Sequence, residues 1–134
     1  MSPSEYNQKI MDEFRANGGV VTGRGKTLLL LHTFGAKSHQ EHINPLAHTR
    51  DGDRYVIIAS KGGAPNHPDW YYNIIANPSV RIEVGTEKFE AEAMIASEPE
   101  RTRLYDQMSA VMPGFAEYQK KTTRIIPVIV LTRK

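Results

Sequence analysis

The chain has 134 residues, 40% of them hydrophobic and 24% charged, with a net charge of +2 and a pI near 8.9. These values predict one folded domain over residues 1–134 and allow an anionic ligand, but give no sign of nucleic-acid binding. Cysteine is absent, which excludes disulfides and thiolate chemistry, and no signal peptide or membrane span is recognisable, so we expect a cytoplasmic protein.

An amphipathic helix is predicted over residues 1–19, ended by Gly18 and Gly19. Its polar face mixes acidic and basic residues, so peripheral contact with an anionic membrane is not expected. The helix should pack on the rest of the domain or cover a pocket. The apolar positions that recur at helical spacing are Tyr6, Ile10, Met11 and Phe14.

Residues 27–134 are predicted to form a mainly β (α+β) fold, an antiparallel barrel of about six strands with three peripheral helices in the chain. Pro45 predicts an edge position or a bulge in the second strand. After the first helix, helices are predicted at 68–77 and 98–111, and Pro113-Gly114 allows a further short one. The predicted strands are 27–34, 42–50, 54–60, 80–84, 86–95 and 125–131.

Two glycine-containing loops each follow an apolar strand. The first, Gly35 to His42, carries Lys37 and Ser38, and the second is Ser60-Lys61-Gly62-Gly63. Loop amides, a hydroxyl and an ammonium can together hold a phosphate. Each loop alone is more typical of a solvated turn than of an anion site, but two such loops in a small barrel favour one shared anionic ligand.

The only tryptophan, Trp70, lies beside Tyr71 and Tyr72, directly after the second loop. An aromatic ring there offers a stacking face for a planar cofactor, although aromatic residues at helical spacing more often belong to a core. Trp70 and Asn73 are three residues apart and share one helical face, whereas Tyr71 and Tyr72 should point elsewhere.

The histidines do not follow a metal-binding pattern, and no metal is expected. A Ser–His–Asp triad is not excluded by spacing, but there is no nucleophile elbow, and no paired carboxylates suggest acid–base catalysis. The five histidines are His32, His39, His42, His48 and His67.

In order and spacing, these segments resemble the deazaflavin (coenzyme F420)-dependent nitroreductase family, small reductases on an FMN-binding split β-barrel. The likeness covers about residues 27–131. It rests on Gly35-Ala36-Lys37-Ser38, Asn44-Pro45-Leu46, Arg50-Asp51-Gly52, Ser60-Lys61-Gly62-Gly63, Pro68, Trp70-Tyr71, Asn77-Pro78 and Arg124-Ile125-Ile126-Pro127.

The resemblance implies coenzyme F420 as cofactor, with Phe115 and Tyr118 in the substrate pocket. Ser60 and Tyr118 are then the candidate catalytic residues, Ser60 to polarise a carbonyl and either to supply a proton. The cofactor-binding residues carried over by position are Lys37, Ser38, His42, Ile43, Asn44, Pro45, Ala47, Ala59, Ser60, Lys61, Gly62, Trp70 and Asn73.

The chain also departs from that family. Members often carry Arg at Ala36, Gly at His39 and Arg at His42, so two permanent cations are replaced and anion binding should be weaker or pH-dependent. A tyrosine of some nitro-reducing members corresponds to Phe115, which cannot donate a proton. Nitro reduction is therefore disfavoured, and Tyr118, Ser60 or water must supply the proton.

The expected function is an oxidoreductase that uses reduced F420 to transfer hydride to an activated C=C bond of a conjugated ester, lactone or quinone. Two alternatives stay open: an FMN-dependent oxidoreductase on the same barrel, and a non-catalytic protein that carries cofactor. The expected partner is a small-molecule substrate, with no nucleic acid and with a homodimer as a possible assembly.

Overall fold

The computed structural model describes residues 3–134, so Met1 and Ser2, in the predicted helix 1–19, lie outside the described residues. The helices are α1 Pro3–Ala16, α2 Asp69–Ala76, α3 Glu100–Val111 and α4 Gly114–Lys120. The strands are β1 Leu28–Phe34, β2 Glu41–Ala47, β3 Thr49–Asp51, β4 Arg54–Ile58, β5 Ser79–Val84, β6 Glu87–Ile95 and β7 Val128–Arg133. Among the described residues, none of the helices has the length and apolarity needed to cross a membrane.

The strands form one antiparallel sheet in the order β2-β1-β5-β6-β7-β4-β3. Its two end strands, β2 and β3, are consecutive in the chain and are separated by His48 alone. Because neighbours in the chain stand at opposite ends of the sheet, the sheet must curl on itself into a half-barrel. The predicted antiparallel barrel is thus confirmed in its coarse form, with seven strands and four α-helices in the described range instead of six and three.

The additional strand arises because the predicted strand 42–50 is divided at His48. Before this residue the chain pairs with β1, and after it with β4. The His48 amide donates to the carbonyl of Thr27, 2.9 Å away, where the pairing changes. Pro45 lies in β2, an end strand of the sheet, so its missing N–H leaves no donor unpaired in a central ladder.

The last strand begins three residues later than the predicted start at Ile125. Ile125 itself is 73% exposed, whereas Ile126 is fully buried. The backbone around them is held by Gln119, whose amide donates to the Arg124 carbonyl at 2.8 Å and accepts from the Ile126 N–H at 3.1 Å. Since these groups are bonded to a side chain, they do not join the β ladder.

Helix α1 packs against one face of the sheet. Met11 and Phe14 are buried against Leu28 and Leu30 of β1, as the helical pattern predicts. Tyr6, which was expected on the same apolar face, is instead about half exposed. The helix therefore docks through its second half, and its first half is left beside the cavity described below.

A partly buried ionic cluster fixes the end of α1 to the sheet. Arg15 donates two hydrogen bonds to the Glu83 carboxylate, at 2.8 and 3.1 Å, and His32 Nε2 lies 2.6 Å from the same group. The Arg15 hydrogen bonds lower the pKa of Glu83 from 4.5 to about 2, with a smaller contribution from His32. His32 is buried, and its Nδ1 faces the Glu41 carboxylate at 3.3 Å. Helix α1, β1 and β5 thus meet at one carboxylate.

Candidate functional site

A cavity with a volume of about 1230 Å³ lies at one side of the half-barrel. It lies between α1, the loop after β1, strand β2, the loop after β4, and helices α2 and α4. Cofactor and ligand pockets usually measure about 300–1,000 Å³, so this cavity has room for a cofactor together with a small substrate.

Both glycine-containing loops and most residues assigned by the resemblance border this cavity. Ala59 does not border it, because its side chain is fully buried in the core. The predicted residues in the lining are Lys37, Ser38, His42, Ile43, Asn44, Pro45, Ala47, Ser60, Lys61, Gly62, Trp70, Asn73, Phe115 and Tyr118.

The loop after β1 forms a compact turn on one wall. The Gly35 N–H donates to the Gln40 carbonyl at 2.7 Å, and the His39 N–H donates to the Gly35 carbonyl at 3.0 Å. A Cβ atom on Gly35 would overlap Ser38 Oγ and lie 3.2 Å from His42 Nε2. The absence of a side chain at Gly35 therefore lets the hydroxyl and the imidazole approach each other at this wall.

The three positions at which the chain departs from the resembled family, Ala36, His39 and His42, lie in or directly after this loop. His39 has a φ of 58°, in the left-handed region that glycine adopts without steric cost. A glycine, the residue often found there in the resembled family, fits this backbone better than histidine does. Ala36 and His42 both border the cavity, so the wall has one lysine, Lys37, as its permanent cation.

Asn73 connects helix α2 to this loop. Its Oδ1 accepts from the Ala36 N–H at 3.0 Å, and its Nδ2 donates to Thr33 Oγ1 at 3.1 Å. The residue is buried, so both polar ends of its amide are used inside the protein. Contact of Asn73 with the cofactor stays a prediction, since the residue borders the cavity, and its observed hydrogen bonds hold the Lys37–Ser38 loop in place.

We expect Asn73→Ala to leave the Ala36 N–H and Thr33 hydroxyl without their partner and to cost about 1–3 kcal/mol of stability. The variant should also raise amide exchange in residues 35–38. Urea unfolding and hydrogen exchange measure the two effects. Asn77→Ala is the matched control, since Asn77 is an exposed amide at the end of the same helix. Equal losses in both variants would contradict the assignment.

The loop after β4 forms the facing part of the lining. Lys61, Gly62 and Gly63 have φ values of 47°, 64° and 83°, so three successive residues lie in the left-handed region of φ. Such a backbone costs a non-glycine residue such as Lys61 about 1 kcal/mol or more and is most often kept where function requires it. Lys61 is exposed and borders the cavity, which gives the lining a second lysine.

The aromatic residues divide differently from the prediction. Trp70 is only 5% exposed and packs in the main core, so it presents little of its ring to the cavity. Tyr72, which was expected to point elsewhere, borders the cavity and is 47% exposed. Tyr71 packs against the core cluster, as an aromatic at helical spacing often does. Tyr72 is therefore the more accessible ring of α2.

Phe115 and Tyr118 of α4 form an aromatic pair at the cavity. Their ring centroids are 5.2 Å apart in an edge-to-face arrangement. Ser60 is largely buried at the end of β4 and borders the same cavity. Ser60 and Tyr118 are the hydroxyl-bearing residues among the predicted catalytic and substrate-pocket residues, and both border the cavity.

The sequence reasoning missed the contribution of α1. The first half of this helix supplies polar and apolar lining, and its expected role as a cover was not resolved into residues. The available signal was the presence of polar residues such as Asn7 and Gln8 beside the apolar face of this helix. The lining residues not predicted individually are Ser4, Asn7, Gln8, Met11, Gly35, Ala36, Leu46, Ile58, Pro68, Asp69 and Tyr72.

The remaining histidines do not form a metal site within residues 3–134, where no group of three potential ligands is arranged around a common point. His32 belongs to the Glu83 cluster, and His67 lies 3.0 Å from Arg124. His48 is largely buried beside Tyr55, and burial lowers its pKa.

Comparisons with known proteins agree with this geometry. An F420H(2)-dependent quinone reductase of Mycobacterium tuberculosis is 45% identical over 109 residues, covering 79% of this chain and 73% of that protein. The solved structure of an F420-H2-dependent reductase (FDR-A) has a TM-score of 0.74 at 36% identity, covering 79% and 94% of the two chains. A second solved structure, described as a domain-swapped dimer, has a TM-score of 0.75 at 32% identity and covers 97% and 99%.

These comparisons define the class of the protein as an F420-dependent reductase. The chain belongs to the F420H(2)-dependent quinone reductase family, whose family model matches residues 7–133. This membership confirms the predicted oxidoreductase and its cofactor, coenzyme F420.

Proposed function

We propose that the protein reduces small quinones with reduced F420 and that both molecules bind in the cavity of about 1230 Å³. The observation that carries the proposal is the convergence of two loops with lysines, Lys37 and Lys61, on one cavity bordered by aromatic residues. A cationic region suits an anionic cofactor chain, and the aromatic region suits a flat, apolar substrate.

The residues present fit this cofactor on structural grounds. The space left by the missing Gly35 side chain, with Ser38 Oγ and His42 Nε2 around it, forms a concave polar cradle. Asp69 is the one acid in the lining against Lys37 and Lys61, so the charge of the wall favours an anion. The chemistry that F420 supplies when bound is hydride donation, and the protein contributes binding and orientation.

The protein must also provide a proton when a quinone is reduced. Ser60 and Tyr118 are the candidates, because each borders the cavity and each carries a hydroxyl. Phe115 packs against the Tyr118 ring in an edge-to-face arrangement, and its side chain has no proton to donate. We therefore assign proton delivery or carbonyl polarisation to Ser60 or Tyr118, and expect nitro compounds to be poorer substrates than quinones.

The assay that tests the proposal is a titration with oxidised F420 and with FMN, followed by the emission of Trp70, the only tryptophan. Binding of F420 in preference to FMN, followed by oxidation of the reduced form by quinones, supports the proposal. Tight FMN binding without F420 binding contradicts it. Binding of F420 without turnover on any quinone would favour the cofactor-carrier alternative.

Removing the lysine of the second loop should weaken cofactor binding. We expect Lys61→Ala to raise the dissociation constant for F420 by about 10- to 150-fold, the value of one charge-assisted hydrogen bond of about 1.5–3 kcal/mol. Lys120→Ala is the matched control, because Lys120 is exposed outside the lining. If Lys61→Ala binds F420 as tightly as the control does, Lys61 does not contribute to cofactor binding and the proposal for this residue is wrong.

We also propose a homodimer as the assembly. Support comes from the solved structure described as a domain-swapped dimer, which covers almost the whole length of this chain.

A further inference from the structure

We propose that Arg124 is a positioning residue that holds the Lys61 loop in its cofactor-binding form. The Lys61 part of this inference rests on the proposed function. Arg124 belongs to the Arg-Ile-Ile-Pro motif, which received no role from the sequence, and it is not among the residues that line the cavity.

The guanidinium of Arg124 is bonded on three sides to the backbone of that loop. It donates to the carbonyls of Ser60 at 2.7 Å, Ala64 at 2.9 Å and Ala59 at 3.2 Å. A fourth contact joins it to His67 Nδ1 at 3.0 Å. One planar side chain thus makes hydrogen bonds to both ends of the segment from Ala59 to Ala64.

All four partners are neutral groups. Arg124 makes no ion pair with a carboxylate within residues 3–134. Its partial burial lowers the pKa of the guanidinium. A partly buried cation that neutralises no charge is costly unless its hydrogen bonds perform a task. Because guanidinium offers five donors in a fixed plane, it can satisfy several diverging carbonyls at once, which a lysine ammonium does not do as well.

This segment contains Lys61, which together with His39 is one of the two non-glycine residues with a positive φ among the described residues. Lys61 keeps its φ of 47° although its side chain is exposed, so local packing of that side chain does not impose the conformation. The carbonyls of Ala59, Ser60 and Ala64 turn toward Arg124, whereas residues 60–62 of the same loop border the cavity. The arginine therefore acts from behind the loop.

Arg124 is itself held by a chain of side chains. Gln119 donates to the Arg124 carbonyl at 2.8 Å, and Arg101 donates to Gln119 Oε1 at 2.6 Å. Arg101 also bonds the Ile126 carbonyl, at 2.8 and 3.0 Å. This chain runs from α3 through the end of α4 to the loop, so the position of Lys61 is tied to the helix that carries Tyr118.

The first test needs no cofactor. In Arg124→Lys, amide exchange of Gly63 and Ala64, whose N–H groups bond within the loop at 3.0 and 3.1 Å, should rise at least 10-fold. Exchange of the β5–β6 amides should stay within twofold of the wild type, which separates a local effect from general destabilisation. Unchanged protection at Gly63 and Ala64, or equal loss in β5–β6, overturns the inference.

The second test is a double-mutant cycle on the dissociation constant for oxidised F420, read by Trp70 emission. Arg124→Lys should weaken binding about 10-fold alone and less than twofold in the Lys61→Ala background, because the arginine acts through the lysine. If the double variant loses affinity by the product of the two single-variant factors, the two residues act independently and the inference is wrong. If Lys61→Ala alone has no effect, the role proposed for Lys61 fails, whereas the exchange result still decides whether Arg124 holds the loop.

Should Arg124→Lys not fold, Gln119→Leu provides the same comparison. It removes the bond to the Arg124 carbonyl, together with those that Gln119 accepts from Arg101 and the Ile126 N–H, and leaves the Arg124 guanidinium in place. The expected change is a smaller loss of protection at Gly63 and Ala64, together with a weaker affinity that again disappears in the Lys61→Ala background. Protection and affinity equal to those of the wild type count against the inference.

Discussion

Glu83→Gln is expected to lower the free energy of unfolding by about 2–4 kcal/mol at pH 7, because Arg15 and His32 lose the one carboxylate they share. His32 is almost completely buried, so its ring cannot turn to water for a replacement partner. Urea unfolding measures the loss. Glu87→Gln is the matched control, since its ion pair with Arg133 is exposed and should contribute under 1 kcal/mol.

The same carboxylate predicts how stability depends on pH. The pKa of Glu83 is about 2 in the folded protein against an ordinary 4.5, so its contribution is fully present above pH 4.5. The contribution is lost as the pH falls from about 4.5 towards 2. The difference between wild type and Glu83→Gln should therefore shrink across this window, and a difference that stays constant down to pH 2 would contradict the assigned role of Glu83.

Gly63→Ala is expected to cost about 2–4 kcal/mol and to displace α4. The Cβ atom would lie 2.8 Å from the Tyr118 carbonyl oxygen and 2.9 Å from Lys121 Cβ, and the φ of 83° is itself unfavourable for alanine. Because α4 carries Phe115 and Tyr118, the substrate part of the cavity should deform. Urea unfolding gives the stability, and the KM for a quinone reports the deformation.

Gly62→Ala separates the two causes of that loss. Gly62 has a comparable φ of 64°, but a Cβ atom there meets nothing within 4 Å. It should cost only about 1 kcal/mol, the price of a left-handed alanine. If both variants lose the same stability, the contact between the loop and α4 does not matter, and the close approach at Gly63 is not what places Tyr118.

Much of the fold follows from periodicity in the sequence. The alternation of Val80, Ile82 and Val84 predicts β5, and the observed strand includes all three. What periodicity does not reveal is a change of pairing partner within an unbroken extended segment, as happens at His48. It also does not reveal a side chain that competes for backbone groups, as Gln119 does before β7.

The site was predictable to the level of segments and less so for individual side chains. The loops with Lys37 and Lys61 border one cavity, but whether a ring is core or lining depends on the rotation of α2, which spacing alone does not fix. Trp70 therefore lies deeper, and Tyr72 nearer the cavity, than the pattern indicated. The hydrogen bonds of Arg124 go to carbonyls about 60 residues earlier in the chain, so the sequence around Arg124 does not predict them.

The order of the strands has a consequence for how the protein folds. β1 pairs with β5 and β4 with β7, so Leu31 meets Ile82 and Val56 meets Val130 across long stretches of chain. Contacts so distant in sequence require large loops to close first, which places folding in the slow, millisecond-to-second regime. During synthesis, the loop carrying Lys61 emerges long before Arg124, and the binding surface can mature only after Arg124 has left the ribosome.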